Sequence, residues 1–367
     1  MNIIQEKINL AKKNKVQLLN LSNLGLEKIP EEIFELDFIT NLNLRDNIIE
    51  EIPYKIEKLK HLKVLYLDNN QIKTISSNIC NLKELIILNL SNNKLKTLPD
   101  EIYKLEKLTR LFVSKNVLEK IPNSLSKLNN LEVLDLKKNA LKEIPIELGS
   151  LKKLTHLDLS YNSLNNFIIN CNTKNNLKKL YLQSNHVNDI TERIGQLKKL
   201  KLLHLGNNEL IKVPNSFNKL SQLKFLNLSE NKITILNLDI NKMEKLNEFK
   251  IYLNDNIEIK DHFIVQLIQR ETKFNSHFKL IIDKKQSIRL KHFEKHFTSG
   301  QIGVIDFDNK IIPEGHYKQI DNDVINKYQL VDPFREKLRQ KMINNSEKAE
   351  LKISLYTKIK KSIQKLF

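Results

Sequence analysis

Leucines and polar residues alternate in a short segment that returns every 23 residues along the chain. In one unit the segment is Leu88-Asn89-Leu90, and this alternation predicts a strand whose two leucines face a core. An asparagine follows three residues later and recurs ten times without a shift, as Asn47, Asn70, Asn93, Asn116, Asn139, Asn162, Asn185, Asn208, Asn231 and Asn254. A fixed period in the twenties predicts a solenoid of stacked units.

The asparagine position predicts side chains that point inward. Parallel strands of successive units stack roughly 4.8 Å apart, and the turn after each strand leaves backbone groups facing the interior. A buried backbone polar group needs a partner, and asparagine carries a donor and an acceptor on a short stem. We therefore expect a structural ladder of asparagine amides that bridges neighbouring turns.

Prolines mark the point where the chain leaves the sheet for the convex side. Six of the eight keep the same period, as Pro30, Pro53, Pro99, Pro122, Pro145 and Pro214. Proline fixes φ and cannot continue a strand, and the spacing of Ile102, Leu105 and Leu108 predicts helical or 3₁₀ turns beyond it. Other residues occupy the proline position in four units: Ser76, Ile168, Thr191 and Asn237. We expect a looser convex segment after Asn162, where asparagines replace apolar residues.

These positions resemble the leucine-rich repeat family in its 23-residue form, Leu-x-x-Leu-x-Leu-x-x-Asn-x-Leu-x-x-Ile/Leu-Pro. The match covers about eleven units from Val16 to Asn254. Leu24 stands at the asparagine position of the first unit, which indicates an atypical first repeat under a cap. The array also resembles those of Roco-type GTPases and of related bacterial and Ras-suppressor-like proteins. The phosphate-binding Gly-x-x-x-x-Gly-Lys-Ser/Thr of a GTPase domain is absent from the sequence.

The resemblance implies an α/β fold: a solenoid with a parallel concave sheet and a 3₁₀ or helical convex side, followed by an α+β C-terminal region. We expect a capping helix in residues 1–15, with Ile4 to Lys13 as its core, and repeats in residues 16–254. Residues 255–367 would form a cap or a small domain. Within them we expect helices at His262 to Gln269 and Ser287 to Phe297, and a hairpin from Gln301 to Pro313.

The chain ends in a basic amphipathic pattern. Apolar residues recur at spacing four, with lysines on the other faces, at Leu351, Leu355, Ile359 and Ile363. Such a helix can dock as a cap, or it can meet an anionic membrane or an acidic partner. Membrane contact is the less favoured alternative.

Charge and cysteine content bear on compartment and partners. The net charge is +18, of which residues 335–367 contribute +7. Scattered lysines on a repeat surface usually serve solubility, and no basic-aromatic nucleic-acid motif is present. We therefore expect no nucleic acid partner. The amino terminus has no apolar signal-like segment. Cys80 follows Ile79 on the convex side and Cys171 replaces the isoleucine of that step, so we expect both to be small buried apolar residues. These features favour the cytoplasm.

The concave face is the candidate site because the residues between the core leucines must point away from the core. Aromatic anchors beside charges of both signs are typical of protein-recognition surfaces. On this basis the predicted partner-binding residues are Tyr66, Phe112, Asp135, Asp158, Tyr181, His204, Arg110, His156 and Lys179. Some of these side chains can instead simply cover the sheet.

Catalytic and metal sites find little support in the sequence. Asp135 and Asp158 lie one repeat apart and could act as an acid–base pair, but no pocket-forming loop interrupts the strict period. His292 and His296 lie one helical turn apart, but the intervening residues do not give the zincin His-Glu-x-x-His order. Asp306-Phe307-Asp308 resembles the Asp-x-Asp of haloacid-dehalogenase phosphatases, but only 59 residues follow it. We expect no catalytic residue, metal or cofactor.

Two hypotheses about function follow. In the first, the protein is a non-catalytic scaffold whose concave face binds a protein partner. In the second, it is an effector or sensor in which the repeats select a target and the C-terminal region acts enzymatically or at a membrane. The sequence leaves the partner and the oligomeric state open.

Overall fold

One long parallel sheet organises the molecule. The computed structural model describes residues 3–170, 174–254, 256–259, 262–267, 278–283 and 286, and the backbone of 302–305. Within these residues thirteen strands pair in parallel, each with the next along the solenoid. They are β1 (Leu18–Asn20), β2 (Asn41–Asn43), β4 (Val64–Tyr66), β6 (Ile87–Asn89), β7 (Arg110–Phe112), β8 (Val133–Asp135), β9 (His156–Asp158), β11 (Lys179–Tyr181), β13 (Leu202–His204), β14 (Phe225–Asn227), β15 (Glu248–Lys250), β16 (Lys279–Asp283) and β17 (Ile302–Ile305).

Two short pairs of strands lie outside this sheet. β3 (Glu51–Ile52) pairs with β5 (Thr74–Ile75), and β10 (Asn166–Phe167) pairs with β12 (Asp189–Ile190). One α-helix, α1 (Ile3–Asn14), precedes the first strand and buries Ile8 and Ala11 against the core. It coincides with the predicted capping helix.

The convex side is built from 3₁₀-helices, as predicted from the spacing of its apolar residues. Those in the described part of the chain are Glu31–Glu35, Tyr54–Lys58, Ser77–Asn81, Asp100–Lys104, Asn123–Lys127, Ile146–Ser150, Glu192–Gln196, Asn215–Lys219 and Ile240–Lys242. Parallel strands on one side and 3₁₀ turns on the other confirm the predicted solenoid.

The periodic prolines are the N-cap residues of six of these helices. Proline suits this position because its φ, −65° at Pro99, is already that of a chain turning out of a strand. Where Ser76 replaces proline, its hydroxyl accepts a hydrogen bond from the Asn78 N–H, at 3.3 Å. The unit with Ile168 at this position has a β-strand, β10, and no 3₁₀-helix among its described residues. Cys171, in the same unit, lies outside the described residues.

A continuous apolar core fills the space between the sheet and the convex side. The middle residue of each repeat strand is a fully or almost fully buried leucine up to Leu226, and Phe249 takes that place in β15. Ile102, Leu105 and Leu108 close the core from the convex side of one repeat. Cys80 is buried in this core, and burial raises the pKa of its thiol to about 12. The thiol is therefore protonated at neutral pH.

The ten asparagines of the ladder bridge consecutive turns. Asn93 is representative: its Oδ1 accepts from the Ile72 N–H at 2.9 Å, and its Nδ2 donates to the carbonyls of Leu67 and Leu90 at 2.9 and 3.0 Å. The equivalent bonds recur at every ladder position, and all ten side chains are buried except that of Asn139, which is half-buried. Each amide thus satisfies backbone groups of two successive repeats.

The residue before each ladder asparagine adopts a left-handed conformation. Ten such residues, from Asp46 to Leu253, have φ between 53° and 58°, and Asn23, which precedes Leu24 in the first unit, has φ 56°. They include lysine, tyrosine, glutamate and leucine, for which this region is unfavourable. The turn geometry therefore overrides local preference, because it is what aims the following amide into the core.

The sheet continues beyond the last sequence repeat. The 23-residue register ends at Asn254, yet β16 and β17 extend the sheet in parallel. Asp283 accepts a hydrogen bond from the Leu253 N–H at 2.9 Å, and the buried Gln286 donates to the Ile251 carbonyl at 3.1 Å. Asp283 and Gln286 thus pair backbone groups of the last repeat, as ladder asparagines do in the earlier repeats.

The structure describes only some of the segments predicted within residues 255–367. Residues 262–267 are helical, within the predicted helix at His262 to Gln269. β17 corresponds to the first arm of the predicted hairpin, and it pairs in parallel with β16. The second arm, the helix at Ser287 to Phe297, the Asp306-Phe307-Asp308 segment and the basic amphipathic segment at Leu351 to Ile363 lie outside the described residues.

Replacing Asn162 with alanine tests the ladder. The change leaves the Leu141 N–H without its partner, and it removes one of the two amide hydrogen bonds that the carbonyls of Leu136 and Leu159 each accept. We expect the free energy of unfolding to fall by about 1–3 kcal/mol, measured as a lower urea midpoint. Asn129→Ala, at an exposed turn, is the matched control and should leave the midpoint almost unchanged. Equal midpoints for Asn162→Ala and the wild type would contradict the role assigned to the amide.

Candidate binding face

The outward residues of the sheet form columns because the strands pair in register. The last residue of each repeat strand defines what we call the central column, which runs Asn20, Asn43, Tyr66, Asn89, Phe112, Asp135, Asp158, Tyr181, His204, Asn227 and Lys250. Most of these side chains are half-buried because neighbours on adjacent strands shield them. The sheet is thus a surface on which each repeat contributes one side chain to each column.

The middle of the central column places two carboxylates between two aromatic rings. Phe112 pairs with Asp135, Asp135 with Asp158, and Asp158 with Tyr181, on four successive strands. Partial burial raises the pKa of the Asp135 carboxyl, with a further contribution from the Asp158 charge. Burial and the same charge also raise the pKa of the Tyr181 hydroxyl. An aromatic patch with a negatively charged centre results.

Basic residues flank this patch on the neighbouring column. Arg110, His156 and Lys179 occupy the first positions of β7, β9 and β11, with Val133 between the first two. Arg110 and Lys179 are exposed. Burial, together with the positive charge of Lys179, lowers the pKa of His156. Positively charged side chains at the first strand position therefore lie close to the negatively charged side chains of the central column.

Tyr66 differs from the other predicted anchors. The Arg45 guanidinium lies 4.7 Å from the centre of its ring, and Arg45 also pairs with Asp68 at 3.2 Å. One face of the tyrosine is therefore covered by a side chain of the same protein. Asn89 separates Tyr66 from Phe112, so Tyr66 is not adjacent to the central patch.

The far end of the central column is a polar network around His204. The His204 Nδ1 lies 3.3 Å from the Gly206 N–H, and its Nε2 lies 3.2 Å from the amide nitrogen of Asn227. The Asn227 Oδ1 accepts from the backbone and hydroxyl of Ser229 at 2.9 and 2.6 Å. A Cβ at Gly206 would lie 3.1–3.2 Å from these three side chains, so glycine leaves them the room they occupy.

This environment keeps His204 neutral. Burial lowers its pKa to about 4, and the positive charge of Lys250 adds to the effect. The Nδ1 accepts from the Gly206 N–H, so a doubly protonated ring would direct an N–H group at another donor. His204 therefore contributes a neutral polar ring to the face.

Comparison with known proteins supports the same architecture. Residues 54–175 match the family model described as a leucine-rich repeat region, and residues 175–233 match the model described as a leucine rich repeat. The chain carries a leucine-rich repeat array. None of the curated proteins compared with it is a significant match.

Three solved structures show how widely this array fold occurs. An internalin (InlF) from Listeria monocytogenes is 18% identical with a TM-score of 0.55, and the match covers 83% of this chain and 90% of that one. The PEPR1–AtPEP1 structure is 22% identical with a TM-score of 0.61, covering 82% and 46%. A TDR receptor is 26% identical with a TM-score of 0.52, covering 68% and 51%. The chain thus spans about half the length of each of the last two structures.

The leucine-rich repeat array places all nine predicted binding residues on its concave sheet. Phe112, Asp135, Asp158, Tyr181 and His204 form one continuous run, with the three basic residues beside it, while Tyr66 lies apart. Gly206, Asn227 and Ser229 are not among the residues predicted from the sequence, although each stands at a periodic position. The signal was available in the 23-residue spacing, but side-chain hydrogen bonding across strands cannot be obtained from spacing alone.

The described residues also bear on metals, membranes and catalysis. Among them there is no cluster of histidines, cysteines and carboxylates suited to a metal ion. No helix in the described ranges has the length and apolar character that crossing a bilayer requires. A shallow groove lined by Glu57, Lys60 and His61 lies on the convex side, away from the two aspartates of the concave patch. The histidines at 277, 292 and 296 lie outside the described residues.

The charge state of His204 gives a direct test. The unfolded chain takes up a proton at this histidine near its ordinary pKa, whereas the folded protein does so only near pH 4. The free energy of unfolding should therefore fall as pH drops from about 6.5 towards 4, and the fall should be smaller in His204→Gln. NMR titration of the ring resonance, assigned by its loss in that variant, measures the pKa itself. Titration of His204 near pH 6.5 would contradict this account.

Proposed function

We propose that the protein is a non-catalytic interaction scaffold whose concave face binds a protein partner. The observation that carries the proposal is the run of Phe112, Asp135, Asp158 and Tyr181 on four adjacent strands, flanked by Arg110 and Lys179. Aromatic anchors beside paired charges are what recognition surfaces of proteins are made of. Fold similarity to a chain whose title names a receptor is consistent with this role.

The architecture supports binding by a preformed surface. The strands are fixed by backbone hydrogen bonds and by the asparagine ladder, so few backbone degrees of freedom remain to be ordered on association. The anchors stand on strands, which hold side chains in defined positions. Affinity would then depend on shape and on a few aromatic contacts, and selectivity on the alternation of charge across the face.

Catalysis by the two aspartates is the weaker interpretation. Asp135 accepts a hydrogen bond from the Lys137 N–H at 3.0 Å, and Asp158 accepts from the Ser160 N–H at 2.9 Å. Both carboxylates are held by their own loops on an open sheet, with no enclosing loop among the described residues. An acid–base pair needs a site that excludes water and positions a substrate between its two groups.

The second hypothesis, in which the C-terminal region acts on a target selected by the repeats, concerns residues that are mostly outside the described ranges. The part that is described joins the solenoid: β16 extends the sheet, and Asp283 and Gln286 bind the last repeat. These contacts favour a cap. We therefore retain the scaffold as the proposed function.

The double substitution Phe112→Ala and Tyr181→Ala tests the proposal. Partners would be captured on the immobilised full chain from extracts of the native host and quantified by mass spectrometry. We expect recovery of specific partners to fall about tenfold or more, since truncating one aromatic anchor commonly costs over 1 kcal/mol. The melting temperature should change little because both rings lie outside the leucine core.

The matched control is Tyr54→Ala with Tyr103→Ala, which removes two exposed tyrosines from the convex side, where they are 61% and 38% exposed. This variant should capture partners as well as the wild type. Unchanged capture by the concave variant, or equal losses in both, would show that the concave rings are not the anchors.

A further inference from the structure

One edge of the solenoid carries much of its positive charge. The turns that lead from the convex side into the strands, together with the first strand residues, form this edge. In five of the later repeats these segments hold twelve lysines and two glutamates. The segments are residues 150–156, 174–179, 196–202, 219–225 and 242–248. The equivalent segments of the five preceding repeats, from 35–41 to 127–133, hold eight basic and five acidic residues. The excess charge is therefore concentrated in the later half of the array.

Three of these lysines stack directly on one another. The Lys201 N–H donates to the Lys178 carbonyl, and the Lys224 N–H to the Lys201 carbonyl, both at 2.8 Å. Their strands are therefore neighbours, roughly 4.8 Å apart, and all three side chains are exposed. Like charges held this close repel one another unless a counter-charge is present.

The protein supplies little counter-charge there. Lys178, Lys201 and Lys224 make no ion pair with any described residue. A second row of exposed lysines contacts neutral amides of the preceding repeats: Lys153 with Asn130, Lys199 with Asn176 and Lys245 with Gln222, at 2.7, 2.5 and 2.6 Å. We call these six lysines the lysine rim.

The earlier half of the same edge is different. Lys107 pairs with Glu84 at 2.7 Å, and Lys12 pairs with Glu35 at 2.8 Å. Solubility alone gives no reason for the two halves of the edge to differ. Acidic residues are nevertheless present in the earlier half and almost missing from the later half. The uneven distribution indicates a surface that attracts an anionic group from outside.

We propose that the lysine rim is a docking surface for an acidic segment of a protein partner. The rim adjoins the concave face through Lys179, so one partner can contact both. This inference deepens the proposed function and rests on it for the identity of the ligand as a protein. Its test uses different residues, so the two can fail separately.

The chemistry of the surroundings favours a polypeptide over a nucleic acid. A nucleic acid carries a negative charge at every nucleotide, and one that extended onto the concave face would meet Asp135 and Asp158. A polypeptide can place acidic residues on the rim and neutral or basic residues over the aspartates. The rim segments also contain no arginine for bidentate contacts with phosphate or base edges, and Phe225 is the only phenylalanine, tyrosine or tryptophan in them.

A membrane fits the observations less well. The apolar residues between the rim lysines, such as Leu177, Leu200 and Leu223, are fully or almost fully buried in the core. The least buried apolar residues of these segments, Leu202 and Phe225, are half-buried at the first strand positions, so membrane binding would depend mainly on its electrostatic component.

The experiment compares two triple variants of the full chain. Lys178→Glu, Lys201→Glu and Lys224→Glu reverse the charge of the rim. Lys96→Glu, Lys120→Glu and Lys142→Glu make the same change in net charge at exposed positions on the opposite edge, after the ladder asparagines. Binding of a fluorescein-labelled oligoglutamate peptide is measured by anisotropy over a range of salt concentrations, and circular dichroism confirms that each variant is folded.

We expect oligoglutamate to bind the wild type, with affinity falling as salt screens the charges. The rim variant should lose at least about tenfold in affinity, and the opposite-edge variant less than about threefold, because exposed charges farther away than a Debye length are largely screened. Equal losses in both variants would mean that net charge alone is responsible. An unchanged rim variant would assign the binding to another part of the chain. Either result overturns the proposal.

Duplex DNA of matched charge and phosphatidylserine vesicles serve as competing ligands. If either binds the wild type more tightly than oligoglutamate at the same ionic strength, and loses that binding in the rim variant, the occupant is a nucleic acid or a membrane and the proposal is wrong. If the rim variant loses oligoglutamate while the aromatic variant of the concave face retains partner capture, the rim inference stands and the concave proposal fails.

Discussion

The fold depends on the hydrogen bonding of one buried side chain, the ladder asparagine. Each turn after a strand directs backbone N–H and C=O groups into the core, where an unpaired group costs about 1–3 kcal/mol. An asparagine amide pairs such groups in its own repeat and in the one before it, as Asn162 does for Leu141, Leu136 and Leu159. The same requirement imposes a left-handed residue at the preceding position, whatever its side chain. The strict period is the result, because an inserted residue would turn the amide away from its partners.

This constraint has a consequence for function. Because the repeats are held in register, side chains at equivalent positions become neighbours even though they are 23 residues apart in sequence. Charge and aromatic residues can therefore be arranged in two dimensions, along a strand and across strands, without altering the core. The central column has two acidic groups between two aromatic rings, and the edge of the later repeats has lysines. Both proposed surfaces are products of one structural rule applied at different positions.

The ends of the solenoid need separate solutions, since a terminal repeat has no neighbour on one side. At the amino end α1 covers the core with Ile8 and Ala11. At the other end the ladder stops at Asn254, and the Asp283 carboxylate and the Gln286 amide bind the backbone of the last repeat. These side chains provide the same chemistry as an asparagine, an acceptor for N–H groups and a donor for carbonyls, but they reach the repeat from a later strand.

The sequence by itself determined the solenoid, its repeat boundaries, the inward asparagines and the concave columns. This was possible because residues 23 positions apart in the sequence occupy equivalent places in adjacent repeats. Position in the repeat was enough to place Phe112, Asp135 and Tyr181 on one face. Only the tertiary structure decided how these side chains interact: that Arg45 covers Tyr66, that Asn227 and Gly206 enclose His204, and that β16 continues the sheet without the repeat motif. Such features depend on side-chain geometry and on contacts between segments with no common spacing, and a periodic pattern carries no information about either.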